Sequence, residues 1–345
     1  MHAFTSQAAA LAKLLRRERV LAVYHRDTDG TTSAALLAKF FPLECLSLTS
    51  PSLDQEAMRA IAAAHPDTIV FLDLAIDQEA QKIRELEKAA PIAVIDHHLF
   101  DHDLASARTL YINPRLEKKS AYLSASYVVF HLLHAMGKPV QKHAWIAGVG
   151  IIGDYAFREG KDVLDLLPKT LVGAEPFAGP LAEGSKLINS AIIAAGERGA
   201  RKAYRSLVKA ASFASFSKDP ELQKWKRLVD REVEKVVASF EQEREHHPAK
   251  KLSILELKTA LPIGSTVSTL ISTTHPDLIL VVTRKEAAGT KVSLRNQSGR
   301  VNLGDLAREA SQGIGRGGGH ERAAAAFVTD WETFRARLLK ALPQV

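Results

Sequence analysis

Val20-Leu21-Ala22-Val23-Tyr24-His25-Arg26-Asp27-Thr28-Asp29-Gly30-Thr31-Thr32-Ser33 is the stretch that decides the fold. The apolar run Val20 to Tyr24 reads as a short buried strand. A polar cluster follows at once, and a helical pattern runs from Thr31 to Phe40. A strand that turns through a glycine directly into a helix is the opening of a β–α unit. His25, Asp27 and Asp29 alternate, so an extended segment would place all three side chains on one face. Gly30 permits the sharp turn. A capped strand-to-helix turn uses the same residue types with no chemistry attached, so this stretch needs company elsewhere in the chain.

Working outward, the pattern repeats. Asp54 to Ala64 reads as a helix and Thr68 to Leu72 as a strand. Asp77 to Lys88 is helical, Ile92 to Ile95 is a strand, and helices follow around Ser120 to Met136 and Gln141 to Ile152. Strands alternating with helices imply an α/β fold whose mostly parallel sheet is covered on both faces. Ligands of such sheets bind beyond the carboxyl ends of the strands. Gly173 to Gly184 is rich in glycine and proline and reads as a boundary. Leu187 to His247 is helical and highly charged, with Glu221 to Glu245 as a long solvated helix and His246 to Lys251 as a linker. Leu252 to Leu257, Leu278 to Thr283 and Thr290 to Asn296 read as strands of a second, smaller α/β domain. The expected organisation is a catalytic domain over 1–185, a helical connector and linker over 186–250, and a substrate-binding domain over 251–345.

Composition narrows the partners. The chain has 345 residues, 46% hydrophobic and 25% charged, as in ordinary globular proteins. Its net charge of +7 favours polyanionic partners. The charge is uneven: residues 251–345 hold 13 basic and 8 acidic side chains. A basic C-terminal domain beside a nearly balanced N-terminal one suggests that one part does chemistry and the other holds an anion. The single cysteine, Cys45, excludes an intramolecular disulfide framework and a zinc site built on paired cysteines. A reducing, cytoplasmic setting fits. With no run of about 18 apolar residues, no membrane span is expected.

Three further clusters have the character of the first. Asp73 closes the strand Thr68 to Leu72, and Asp96-His97-His98 closes Ile92 to Ile95. Gly150-Ile151-Ile152-Gly153-Asp154 ends a small apolar run with an acid. A lone aspartate after a strand is often a helix cap, but an aspartate with two histidines is unusual for packing. One histidine could ligate a metal while Asp96 acts as a supporting acceptor. The donors are oxygen and imidazole with no thiolate, which suits Mn²⁺ or Mg²⁺, with Zn²⁺ or Co²⁺ as further options. They exceed what one ion needs, and two ions about 3.5–4 Å apart would use them. A fifth cluster, Gly313-Ile314-Gly315-Arg316-Gly317-Gly318-Gly319-His320, reads as a glycine-rich loop whose backbone cradles an anion. Small residues after it, Ala323 to Ala326, fit close packing beneath that loop. Upstream, Arg295 lies at a strand end, where a bidentate phosphate contact is plausible.

These motifs, in this order, resemble the DHH phosphoesterase superfamily, in the branch whose DHH-associated C-terminal domain carries a GGGH loop. The resemblance covers Val20 to about Asp154 and Leu252 to Val328. It implies that His25, Asp27 and Asp73 hold one metal ion, and that Asp29, Asp73, His97 and Asp154 hold another, with Asp73 bridging. It implies a pair of Mn²⁺ ions, with Mg²⁺ or Co²⁺ as alternatives. His98 would face the scissile phosphate and Asp96 would support the histidines. Arg295, Gly317, Gly318, Gly319 and His320 would bind substrate phosphates from the second domain across an interdomain cleft. Asp27-Thr28-Asp29-Gly30 with the following Thr-Thr-Ser is similar to the RecJ motif, in a compact form common in archaea. Bacterial RecJ commonly carries aspartate where His25 stands, and adds domains including an OB-fold.

The resemblance therefore implies a metal-dependent exonuclease on single-stranded DNA or RNA that releases nucleoside monophosphates. A small-substrate phosphoesterase, acting like a nano-RNase on short oligonucleotides, dinucleotides or 3′-phosphoadenosine phosphate, is the first alternative. A non-catalytic replication scaffold is the second, against which the complete set of ligand residues speaks. Replication or repair proteins are the partners such a role would bring. Outside the motifs, His131 and His134 read as core or surface histidines, and Lys118 and Lys119 as a solvated pair. Asp101, His102 and Asp103 read as loop. Trp145 and Phe157 flank the fourth motif and could stack a base, but core packing is the favoured reading.

Overall fold

The computed structural model describes residues 4–175 and 177–343. They fall into two compact units, Met1–Lys226 and Arg227–Val345. In chain order the first unit contains α1 (Thr5–Leu14), β1 (Val20–His25), α2 (Thr28–Ala38), β2 (Glu44–Leu48), α3 (Gln55–Ala63), β3 (Thr68–Leu72), α4 (Ala80–Leu86), β4 (Ile92–Ile95) and β5 (Thr109–Ile112). It continues with α5 (Ala125–Ala135), α6 (Ala144–Gly153), the short α7 (Lys161–Leu164) and α8 (Lys169–Val172), α9 (Pro180–Lys209) and α10 (Phe213–Ser217). The division falls within α11 (Pro220–Glu243).

The first unit is built on a parallel sheet of strand order β2-β1-β3-β4-β5. The continuous apolar runs of β3 and β4 follow from burial on both faces: every residue of Thr68–Leu72 and of Ile92–Ile95 is buried. Alternate side chains enter opposite cores. Ala22, Tyr24, Val70, Leu72, Ala93 and Ile95 pack with the helices of one face, while Leu21, Val23, Ile69, Phe71, Ile92 and Val94 form the other. The chain leaves β1 to one side for β2 and returns past it to β3, so the strand order reverses between β1 and β3. That reversal is where open α/β sheets bind ligands, outside the carboxyl ends of the strands.

Several boundaries differ from the sequence expectation. α2 begins at Thr28 rather than Thr31, because the Asp27 side chain caps it by accepting from Gly30 N at 2.9 Å. The segment read as a helix from Asp77 opens as a 3-10 turn before α4, and that from Gln141 opens likewise before α6. The helix read from Ser120 starts at Ala125, where Ser124 caps it. α9 contributes Leu187, Ile188, Ala203 and Leu207 to the first unit's core. The boundary read at residue 185 therefore falls inside a helix of that core. α9 is interrupted at Gly196, whose φ of 54° is not helical.

The second unit holds β6 (Glu245–His247), β7 (Leu252–Glu256), α12 (Gly264–Thr274), β8 (Ile279–Glu286), β9 (Gly289–Arg295), α13 (Leu303–Ser311), β10 (Gly315–His320), β11 (Ala323–Val328) and α14 (Trp331–Ala341). Its sheet runs β10-β11-β9-β8-β7-β6 and is antiparallel except for β7 beside β8. Leu303, Leu306, Ala307 and Ala310 line one stripe of α13 at helical spacing and close the core with Phe334 and Leu338 of α14. In place of the glycine-rich loop expected over Gly313 to His320, Gly315 to His320 form edge strand β10, and Ala323 to Ala326 pair with it rather than packing beneath a loop. Glycine disfavours strands, but here tertiary packing requires it. A Cβ on Gly317 would lie 2.8 Å from both the Ala307 carbonyl carbon and Ser311 Oγ of α13. Among the described residues no helix is long and apolar enough to cross a membrane.

Candidate metal centre

The donors gather at the carboxyl edge of the first sheet. His25 is the last residue of β1, Asp73 follows β3, and Asp96, His97 and His98 follow β4. The sheet's hydrogen bonding carries into the site: Asp73 N donates to Ile95 O and Asp96 N to Ile112 O, both at 3.0 Å. Asp73 then takes a left-handed backbone, φ 58°, which turns the chain back over the edge. Aspartate tolerates that conformation better than most side chains, and such residues concentrate at functional sites.

His25, Asp27 and Asp29 do not share the face of one extended segment, as their alternation suggests. His25 ends a strand, Asp27 is the helix cap, and Asp29 lies in the first turn of α2. Gly30 makes this possible. A Cβ there would stand 2.9 Å from both the backbone nitrogen and carbonyl carbon of His25, and closer still to its oxygen. Asp29 is held by the N-terminus of α5, where Ala125 N donates to Oδ2 at 2.6 Å and Ser126 N to Oδ1 at 3.0 Å.

The result is two groups of donors around one carboxylate. His25, Asp27 and Asp73 form one group, and Asp29, His97 and Asp154 another. Asp73, Asp96, His97 and His98 form a third that overlaps them. His25 Nδ1 lies 2.8 Å from Asp27 Oδ2 and 3.6 Å from Asp73 Oδ2. His97 Nε2 lies 3.2 Å from Asp73 Oδ1 and 3.7 Å from Asp154 Oδ2. These approaches lack hydrogen-bond alignment. Both oxygens of Asp73, both ring nitrogens of His97, Asp154 Oδ2 and His25 Nδ1 are buried without a hydrogen-bond partner. Buried polar groups are normally satisfied, so six unpartnered donor atoms in one place fit the coordination shell of a cation.

The electrostatics agree. Burial, then the charges of Asp27 and Asp29, push the Asp73 carboxyl far above the ordinary carboxylate range. Burial also raises Asp29, and burial with the Asp29 charge raises Asp154 to about 8. For His25 burial acts in the opposite sense, but Asp27 and Asp73 outweigh it and raise the imidazole to about 10. Carboxylates crowded so closely oppose their own ionisation, and a divalent cation removes that penalty. The donor set is oxygen and imidazole, which suits Mn²⁺ or Mg²⁺.

His98 stands apart. Its Nδ1 is hydrogen-bonded to Asp96 Oδ1 at 2.7 Å, and its side chain is 41% exposed. Asp96 therefore holds His98 directly. The backbone of the His97-His98 pair is held by residues that the sequence reading passed over. Arg115 Nε donates to His97 O at 2.7 Å, and Asn113 Nδ2 to His98 O at 3.0 Å. Asn113 follows β5 as Asp73 follows β3, and that repeated strand-end position is the signal that could have found it. Tyr122 was also missed: its hydroxyl donates to Asp154 O at 2.9 Å, and its ring stands edge-on to His97.

Trp145 is buried against Phe213 and Phe216, and His131 faces Asp162 at 3.0 Å. In the second unit, Arg295 ends β9 with Nη2 donating to Ser265 Oγ at 3.0 Å, and His320 ends β10, exposed. Gly319 has φ 142° and would carry its Cβ within 2.6 Å of Ala324 Cα, whereas a Cβ on Gly318 would meet nothing within 4 Å. Packing thus accounts for Gly317 and Gly319 but not for Gly318.

Comparison with known proteins follows the same division. The DHH family, N-terminal domain, matches residues 19–153, and the DHHA1 domain matches residues 253–345. No curated protein sequence matches the chain significantly. Among solved structures, exonuclease RecJ bound to manganese aligns with a TM-score of 0.73 at 21% identity, covering 99% of this chain and 95% of that one. RecJ in complex with Mn²⁺ from Thermus thermophilus aligns at 0.72 and 20% identity, covering 99% of this chain and 55% of that one. A pGpG-specific phosphodiesterase from a Vibrio species aligns at 0.51 and 14% identity, covering 94% and 98%. At these identities the likeness establishes a shared fold. The order of the motifs, the parallel sheet that gathers them and both domain matches agree: the chain is a DHH-family phosphoesterase built from a DHH domain and a DHHA1 domain.

Proposed function

We propose that this chain is a two-metal phosphodiesterase that removes nucleoside monophosphates from single-stranded DNA or RNA. The observation that carries the reading is Asp73, whose Oδ1 lies 3.2 Å from His97 Nε2 while Oδ2 lies 3.6 Å from His25 Nδ1. One carboxylate thus approaches a member of each donor group, as a ligand shared by two ions would. His25, Asp27 and Asp73 would hold one Mn²⁺ ion, and Asp29, Asp73, His97 and Asp154 the other. Mg²⁺ or Co²⁺ would serve in their place. When bound, such a pair activates water near neutral pH and neutralises charge on the phosphoryl group.

The chain's own residues do the rest. With Nδ1 held by Asp96, His98 keeps Nε2 for a substrate oxygen. Burial acts against protonation of His98, but Asp96 outweighs it and raises the imidazole above its ordinary value. His98 is therefore suited to donate a hydrogen bond, or a proton, to the phosphate as charge builds there. Asn113 and Arg115 keep the His97-His98 backbone in register. Arg295, Gly317, Gly318, Gly319 and His320 of the second unit are assigned to the substrate's phosphates. The basic excess of residues 251–345 supports that assignment.

Gly318 tests the phosphate assignment. Gly318→Ala is expected to melt within about 2 °C of wild type, since nothing lies near its Cβ, yet to raise KM severalfold by blocking close backbone approach. Gly317→Ala is expected to lower the melting temperature, because α13 occupies that space. Equal KM values for wild type and Gly318→Ala would remove Gly318 from the site.

The reaction itself is tested with Mn²⁺ and 5′-labelled single strands from dinucleotides to roughly 20 nucleotides, longer than one domain's usual footprint. Stepwise shortening of the long strands, lost in Asp27→Ala, is the expected result. Cleavage confined to the shortest oligomers would replace the exonuclease reading with the small-substrate one.

A further inference from the structure

We propose that Tyr155 and Phe177 form a nucleobase-stacking platform beside the metal centre, which positions the base of a bound nucleotide. The inference rests on the nucleic-acid reading above and deepens it. Three observations carry it. Tyr155 and Phe177 are large aromatics at the surface, 61% and 44% exposed. Their rings contact each other at 5.0 Å between centroids, and Phe157 braces Phe177 edge-on at 5.3 Å. Tyr155 also has a left-handed backbone, φ 60°, a conformation in which a bulky side chain is strained. Such strain is retained where function requires it.

Position gives the cluster its role. Tyr155 directly follows Asp154, and the Tyr122 hydroxyl holds the carbonyl of the peptide joining them. Tyr155 is thus the chain neighbour of a residue whose carboxylate faces His97. Packing does not explain it, because an exposed tyrosine buries little apolar area, and asparagine or glycine would suit the backbone better. A flat aromatic surface tolerates any base and recognises its π-face. The ligand class is therefore a nucleobase, of DNA or RNA alike.

The experiment uses the full chain with Mn²⁺, wild type, Tyr155→Asn and Tyr155→Trp. The substrates are oligothymidylate and versions carrying a single abasic residue at successive positions. Tyr155→Asn is expected to raise KM about tenfold to a hundredfold, with kcat little changed and a melting temperature equal to or above wild type. Tyr155→Trp is expected to restore KM. On the one substrate whose abasic residue falls at the platform, wild type and Tyr155→Asn are expected to have equal KM. An unchanged KM in Tyr155→Asn, or a loss that persists on every abasic substrate, would overturn the platform alone. A wild type that cleaves bis(p-nitrophenyl) phosphate but no nucleic-acid strand would overturn the platform and the exonuclease reading together.

Discussion

Asp73→Asn is expected to lower kcat by about a thousandfold or more, and at the same time to raise the melting temperature of the metal-free protein. The loss of rate would follow from losing the carboxylate proposed to serve both ions. A bound metal supplies several kcal/mol of transition-state charge stabilisation, and each ~1.4 kcal/mol is tenfold in rate. The gain in stability follows from the site's own repulsion. Burial and the charges of Asp27 and Asp29 raise the Asp73 carboxyl well above the ordinary value. Above the unfolded value, about 4, the folded chain keeps a proton that the unfolded chain releases. The metal-free protein therefore loses stability as pH rises. Asparagine cannot ionise, and it accepts a φ of 58°. The gap between Asp73→Asn and wild type without metal should widen from pH 5 to pH 8 on melting curves. A metal-free variant that melts below wild type would show that the carboxyl makes a net favourable contact, and wild-type kcat would exclude it as a ligand.

Gly30→Ala is expected to damage both fold and activity. The added methyl would collide with the backbone of His25, which cannot swing aside as a side chain can. Relief requires the first turn of α2 to move off the end of β1, taking Asp27 and Asp29 with it. Overpacking of this kind costs about 1–3 kcal/mol, a drop of several degrees in melting temperature for a unit of this size. Displacing catalytic groups by about 1 Å costs on the order of a hundredfold in rate. Excess Mn²⁺ should recover part of the stability by mass action, but not the rate. A variant with wild-type melting temperature and kcat would mean that the turn relaxes without moving the two aspartates.

Much of this was legible in the sequence, for a physical reason. β3 and β4 are buried on both faces, so they appear as uninterrupted apolar runs, and Thr68–Leu72 and Ile92–Ile95 coincide with the strands read from the sequence. Donors placed directly after such runs must lie at one edge of the sheet. β2 was missed because edge strand Glu44–Leu48 is largely unburied and its pattern is mixed. β5, Thr109–Ile112, is a short edge strand whose threonine and tyrosine interrupt the apolar run that marks β4. β10 was misread because a run of glycines opposes strand propensity, and only the close approach of α13 requires it. Asp29 was grouped with its neighbours by alternation, whereas the cap at Asp27 and the N-terminus of α5 place it. The left-handed turns at Asp73 and Tyr155 have no signature in composition or periodicity, since they arise where strand and helix ends meet in three dimensions.

The most direct test of the shared-carboxylate centre is a calorimetric titration of Mn²⁺ into the metal-free protein, wild type beside Asp73→Asn. The proposed centre predicts two ions per wild-type chain, bound with release of protons from the raised carboxyls, and fewer than two in Asp73→Asn. One ion or none in the wild type, or an unchanged count in Asp73→Asn, would contradict it.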